Sequence, residues 1–193
     1  MALNSIASDP GAESYIDVAG CDLYHANLQN AAWALAALPA KEAALRRATS
    51  YIDNVYRSRF VGFRTARRAQ ALEWPRTGAY YYTPQVGSLV YGEGHGYSAG
   101  YSIFEYDPII ATVIPVEIAN ATCEAALREI VAAGSLAPDL ERGGANTRSL
   151  KAGSVEIVYS GSSTPLTLYP AIARALSALL TPANPFGGTV GRA

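Results

Sequence analysis

Pro39-Ala-Lys-Glu-Ala-Ala-Leu-Arg-Arg-Ala-Thr-Ser-Tyr-Ile-Asp-Asn-Val-Tyr-Arg57 is the stretch from which the fold can be read. A proline can open a helix because the N–H it lacks would have no intrahelical partner in the first turn. Behind it Ala44, Ala48, Tyr51 (with Ile52) and Val55 recur at helical spacing, while Arg46, Ser50, Asp53 and Arg57 fall opposite. This predicts one long amphipathic helix. Upstream, Asp17 is placed to cap a helix carrying Val18, Cys21, His25 and Leu28 on one face. Asn30 then precedes a short alanine-rich helix over 31–38 that carries Trp33.

Downstream, the helical pattern breaks over 58–75 and the chain turns basic. Helix resumes at Pro115, with Val116, Ala119, Cys123, Ala126 (with Leu127) and Ile130 expected to be buried. Glu117, Asn120, Glu124 and Arg128 form the expected wet face, and Gly134 the stop. Val155, Ile157 and Tyr159 alternate as in a strand, with 166–168 as the expected hairpin partner. A last helix starts near Pro170 with Ile172, Ala173, Leu176 and Leu179 on one face. The expected fold is mainly α: a single domain over 1–193, built as a small helical bundle. It carries a Tyr/Gly-rich β-hairpin or loop insertion at 77–110, a short C-terminal β-hairpin plus helix, and a Pro/Gly-rich tail at 181–193.

Composition excludes several classes. The chain has 193 residues, half of them hydrophobic and 16% charged, with a formal net charge of −1. A uniformly basic nucleic-acid binder and a disordered chain are both ruled out as global descriptions. So little charge leaves little to keep copies apart, so self-association or a large partner surface is expected. No apolar run is long enough to span a membrane, and the first ten residues lack the basic and apolar regions of a signal peptide. A reducing, intracellular location is the expectation. With two cysteines and two histidines, a four-cysteine zinc site is impossible. Cys21 and His25 can share a helix face, but two ligands do not make a site, and they read as half-buried packing residues.

Catalytic signatures are missing from the sequence. There is no Gly-x-Ser-x-Gly elbow, and neither histidine stands in a known nucleophile motif. Gly92-Glu-Gly-His-Gly96 lacks the Lys-Ser/Thr of a phosphate loop, and no helical pattern follows it in the sequence. No catalytic, cofactor-binding or metal residue is therefore assigned, and an enzyme is not expected.

Charge distribution is more informative than its sum. Lys41 to Arg76 holds nine basic residues, eight of them Arg, against three acids (Glu42, Asp53, Glu73). Arg57, Arg59, Arg64, Arg67 and Arg68 are the candidate contacts for DNA phosphate or an acidic partner, because a guanidinium meets a phosphate or carboxylate with two parallel hydrogen bonds. The competing reading is a solvated face neutralised by acids elsewhere. The insertion is different: Tyr80, Tyr81, Tyr82, Tyr91, Tyr97, Tyr101 and Tyr106 alternate with glycines, and Gly78 to Pro108 contains no Lys or Arg. A nucleic-acid platform without cations is disfavoured. These tyrosines are expected to dock a neighbouring subunit or another protein, or else to fold back as a lid.

The order of several blocks carries a resemblance. They are Ser14-Tyr15-Ile16-Asp17-Val18 running into Ala19-Gly-Cys-Asp22-Leu-Tyr24-His25, then Trp33, then Lys41 to Asp53, and Gln70-Ala-Leu72-Glu-Trp74-Pro75-Arg76-Thr-Gly78. Ile114-Pro115-Val116-Glu117-Ile118 and Leu136-Ala137-Pro138-Asp139-Leu140 follow. Over roughly residues 13–180 the chain resembles the head–tail connector (adaptor) proteins of tailed bacteriophages and gene transfer agents. Such sequences are also identified as DnaT-like single-stranded-DNA-binding proteins. The adaptor resemblance implies a non-enzymatic structural protein of the virion, at the head–tail interface and assembled in the host cytoplasm. It implies a homo-oligomeric ring, a dodecamer in the family, with partners in the portal protein and a neck or tail-completion protein. Non-specific double-stranded DNA would pass through the lumen. The alternative is a DnaT-like single-stranded-DNA-binding protein of a phage primosome, whose cue would be tyrosines and arginines interleaved on one face. The long Tyr/Gly insertion departs from the adaptor pattern, and its role does not carry over.

Overall fold

The computed structural model describes residues 3–82, 106–137, 149–152, 155–158 and 169–181, and the following concerns these. Five α-helices run in the order α1 (Val18–Asn27), α2 (Ala31–Leu35), α3 (Leu38–Tyr56), α4 (Val116–Val131) and α5 (Pro170–Leu176). Three two-stranded antiparallel pairs complete the mainly α fold: β1 (Phe63–Arg64) with β2 (Arg76–Thr77), β3 (Tyr80–Tyr82) with β4 (Tyr106–Pro108), and β5 (Ser149–Ala152) with β6 (Val155–Val158). Among the described residues no helix is long and apolar enough to cross a membrane.

Helix α1 starts where the sequence places its cap, the Asp17 carboxylate accepting from the Gly20 N–H at 2.7 Å. Helix α2 ends earlier than expected, at Leu35, because Ala36 turns to extended backbone before α3 begins. In α3 the buried residues are Ala44, Leu45, Ala48, Thr49, Ile52, Asp53 and Tyr56. The stripe is thus turned slightly from the expected one and takes in Asp53, which the pattern assigns to solvent.

Helix α4 is the hub, packing against α1, α2, α3 and α5. That explains why its buried set (Ile118, Ala121, Thr122, Cys123, Ala125, Ala126 and Glu129) is broader than one stripe. Val116, expected inside, is exposed at its open end. Ala44 and Ala48 of α3 and Ala121 and Ala125 of α4 are all fully buried, and side chains this small let helices approach closely. Leu45, Ile52, Ile118, Ile172 and Leu176 fill the space between α3, α4 and α5, while Trp33 and Cys21 close the other side of α4.

The strand pairs differ from expectation in one respect. The partner of Val155–Val158 is Ser149–Ala152, joined across residues 153 and 154, with Ala152 facing Val155 and Ser149 facing Val158. The expected partner at 166–168 lies outside the described residues. The two ends of the tyrosine-rich insertion do pair, Tyr80 opposite Pro108 and Tyr82 opposite Tyr106.

A buried polar junction ties three distant segments together. The Tyr15 hydroxyl donates to Asp53 Oδ1 and accepts from the N–H groups of Glu73 and Trp74, at 3.1 and 3.3 Å. Asp53 Oδ2 also accepts from the Glu73 N–H, at 3.2 Å. Burial pushes the Asp53 carboxyl up to about 6, against the opposing effect of these hydrogen bonds. The folded protein therefore holds a proton that the unfolded chain has released between about pH 4 and 6, and stability falls as pH rises through that window. We expect the stability of wild type relative to Asp53→Asn to drop by on the order of 2–3 kcal/mol from pH 4 to pH 7 in urea titrations. A pH-independent difference would contradict this account of the junction.

Gly62 supplies a second test. It has φ +76°, and a Cβ there would lie 2.4 Å from the Thr77 carbonyl oxygen and 2.9 Å from the Ala79 nitrogen. Gly78 has a similar φ of +73° but open space where its Cβ would go. Gly78→Ala should cost only the left-handed backbone penalty, about 1–2 kcal/mol. Gly62→Ala adds a backbone clash and should cost clearly more in the same denaturant titration.

Candidate nucleic-acid interface

The basic segment leaves the end of α3 as a structured loop held by its own polar groups. After a 3₁₀ turn over Arg57–Arg59, Phe60 returns to the core, bridges to Leu180 and packs edge-on against Trp74 with ring centroids 5.6 Å apart. Gln70 is buried and closes the loop. Its Nε2 donates to the Leu72 and Pro75 carbonyls at 2.8 and 3.0 Å, and its Oε1 accepts from the Ala66 N–H at 3.2 Å. Arg76 is buried too, donating to the Val61 and Gly62 carbonyls at 2.9 and 2.5 Å and to Glu73 Oε2 at 2.8 Å. An arginine inside a loop is held only when its donors are satisfied, and these are.

Tertiary structure divides the nine basic residues into two sets. Lys41 pairs with Asp22 at 2.8 Å, Arg46 with Glu13 at 3.0 Å and Glu42 at 3.7 Å, Arg47 with Glu129 at 3.5 Å, and Arg76 with Glu73 at 2.8 Å. Arg57, Arg59, Arg64, Arg67 and Arg68 have no carboxylate at ion-pair distance among the described residues. All three acids of the stretch are engaged elsewhere: Glu42 and Glu73 in those pairs, Asp53 with Tyr15. Three of the five arginines are steadied by neutral oxygens instead. Arg57 donates to the Asp53 carbonyl and Asn54 Oδ1 at 3.2 and 3.0 Å, Arg59 to the Thr181 carbonyl at 3.2 Å, and Arg64 to the Gln70 carbonyl at 3.0 Å. Arg67 and Arg68 are exposed on a short 3₁₀ turn.

One residue escapes the sequence reading. Phe63 is 44% exposed in β1, and the Arg67 guanidinium lies 4.1 Å from its ring centroid. An aromatic between Gly62 and Arg64, in a run of arginines, is the signal that could have identified it. Phe63 provides an aromatic surface amid the arginines, which the separate tyrosine and arginine segments do not offer in sequence.

The expected tyrosine contacts are only partly in view. Tyr80 and Tyr81 are half-buried, and the Tyr81 hydroxyl donates to Glu117 Oε2 at 3.3 Å, so at its base the insertion folds onto α4. Tyr82 and Tyr106 are described as paired backbone only, and Tyr91, Tyr97, Tyr101 and His95 lie outside the described residues. Three residues beyond β4, the Ala111 carbonyl accepts from Thr65 Oγ1 at 2.6 Å. The tyrosine-rich and arginine-rich segments therefore adjoin, although they are separate in sequence.

Residues 1–89 and 101–193 match the model of the family described as "Putative DnaT-like ssDNA binding protein". No curated protein and no solved structure matches the chain. The match overturns the description as a virion head–tail connector of a tailed bacteriophage, an adaptor ring with a DNA channel between portal and neck. Neither the ring, the portal partner nor the neck partner has support in it. A physical reason is visible in the fold: three of the blocks that suggested an adaptor, those holding Tyr15, Asp53 and Trp74, meet at one buried junction, so these residues specify how the chain packs rather than what it binds. The chain belongs to the DnaT-like single-stranded-DNA-binding family.

Proposed function

We propose that this protein binds single-stranded DNA through the Arg57–Arg68 segment, non-enzymatically and without reading base sequence. The observation that carries the proposal is the set of five arginines with no carboxylate partner among the described residues, in one segment with an exposed Phe63 against which Arg67 packs. Phosphates are met by guanidinium groups and supply the affinity; a base is met by the Phe63 ring, which stacks on any base because every base has a π-face. The family match supports the same ligand. An acidic protein partner would satisfy the arginines equally, but it gives no role to an exposed aromatic beneath a guanidinium.

Fluorescence anisotropy with a labelled oligo-dT and a mixed-sequence strand tests this. Both should bind alike, and affinity should fall steeply with salt. Each phosphate contact to a single strand contributes about −0.7 to the slope of log K against log salt. Arg67→Gln with Arg68→Gln should therefore flatten that slope by roughly 1.4 for either strand. A slope unchanged by this pair would place the contacts elsewhere.

The aromatic is tested separately. Phe63→Ala should weaken binding by about 1–3 kcal/mol with the salt slope retained, and Phe63→Tyr should restore it. A Phe63→Ala variant that binds as wild type does, with an unaltered thermal melt, would remove stacking from the proposal.

A further inference from the structure

Both cysteines of the chain and one of its two histidines converge at a single point, remote in sequence from one another. Cys21 and His25 lie four apart on α1 and so face the same way, and Cys123 of α4 meets them. All three are buried, and their ligand atoms lie within 4.8 Å of one another. We propose that Cys21, His25 and Cys123 bind one thiophilic divalent cation of the zinc class at the crossing of α1 and α4.

Geometry comes close to what such an ion needs. Zinc–sulfur bonds of about 2.3 Å and zinc–nitrogen bonds of about 2.0 Å at tetrahedral angles put ligand atoms roughly 3.5–3.8 Å apart. The three groups need draw together by only about 1 Å, within the reach of side-chain torsions. The imidazole is already oriented, its ring edge-on to Tyr24 with centroids 5.2 Å apart and tilted against Trp33 at 4.7 Å. Its nitrogens face the Cys123 carbonyl oxygen at 3.1 Å and the Asn30 side-chain amide at 2.9 Å. Whichever nitrogen takes the metal, the other has an acceptor for its proton: the Cys123 carbonyl, or the Asn30 amide oxygen once the amide is turned over.

Charge favours a doubly charged ion. Two thiolates without a counterion are disfavoured in a buried site, whereas a divalent cation with two thiolates and a neutral imidazole is neutral overall. Binding is an exchange with no redox change: the two S–H bonds break, two metal–sulfur bonds form, and two protons leave to solvent. Apparent affinity therefore rises with pH. Three protein ligands leave a fourth position for water. A cavity of about 450 Å³, lined also by Asp22, Asn30, Trp33 and Lys41, reaches the His25 edge of the site.

Cobalt titration of the reduced, chelator-stripped full chain tests the site. One equivalent of Co²⁺ should produce thiolate-to-metal charge-transfer absorption and tetrahedral d–d bands, stronger at pH 7 than at pH 6, and Zn²⁺ should displace them. Cys21→Ala with Cys123→Ala should abolish the signal while far-ultraviolet circular dichroism is retained. X-ray absorption on the zinc-treated wild type needs no variant and should count two sulfur neighbours at about 2.3 Å. Absence of the charge-transfer band at one equivalent, a band that survives the double variant, or a zinc shell of nitrogen and oxygen alone would each overturn the proposal.

Discussion

The Asp53 carboxylate sits inside the protein against the Tyr15 hydroxyl and the Glu73 N–H, and three segments far apart in sequence meet around it. Withdrawing a carboxylate from water is costly unless its lone pairs are taken up, so the N-terminal strand of chain and the loop before Trp74 must both be in place for α3 to bury this face. The loop in turn fixes the register of β1 with β2, and Arg76 within β2 reaches back to the Val61 and Gly62 carbonyls. The exposed arginines thus stand on a platform whose position is set by one buried acid. That acid lowers stability in its ionised form and is kept for the geometry that it imposes.

Periodicity reveals the helices because burial of one face repeats every three to four residues, and α1, α3 and α4 all follow it. It misplaces Asp53, since a pattern of residue types carries no sign of a tyrosine hydroxyl arriving from Tyr15. The same limit explains the breadth of the buried set of α4: a helix packed on several sides has no single stripe to find. Cys123 looked like an ordinary apolar position in its helix, and only the crossing with α1 brings it to Cys21 and His25. Charge was legible as a local excess of arginine. Which cations meet a carboxylate among the described residues was not, because Glu13, Asp22 and Glu129, the partners of Arg46, Lys41 and Arg47, lie outside the basic stretch.

Glu129 shows how a nearby acid can be removed from play. Its carboxylate is buried and accepts from the Gly134 and Leu136 N–H groups, both at 3.0 Å, so it organises the turn after α4 while holding Arg47. The Arg47 charge is thereby committed to the fold. Asp22 does the same for Lys41 and adds the Trp33 indole N–H at 2.7 Å, fastening α1 to α2 and α3. The cations of α3 up to Arg47, and Arg76 in β2, are committed to the fold by carboxylates, whereas Arg57, Arg59, Arg64, Arg67 and Arg68 meet none among the described residues.

That division bears on how a strand of DNA can be held. A guanidinium has five N–H donors, and Arg57, Arg59 and Arg64 spend one or two each on neutral oxygens. The charge is left intact while the side chain loses part of its freedom before any ligand arrives. Ordering a free arginine against a phosphate costs about 0.5–1.5 kcal/mol in rotamer entropy, and partial ordering in advance reduces that cost. A carboxylate in the same place would give the order but cancel the charge. Carbonyl partners supply order without cancellation, which suits the proposed contact with phosphate.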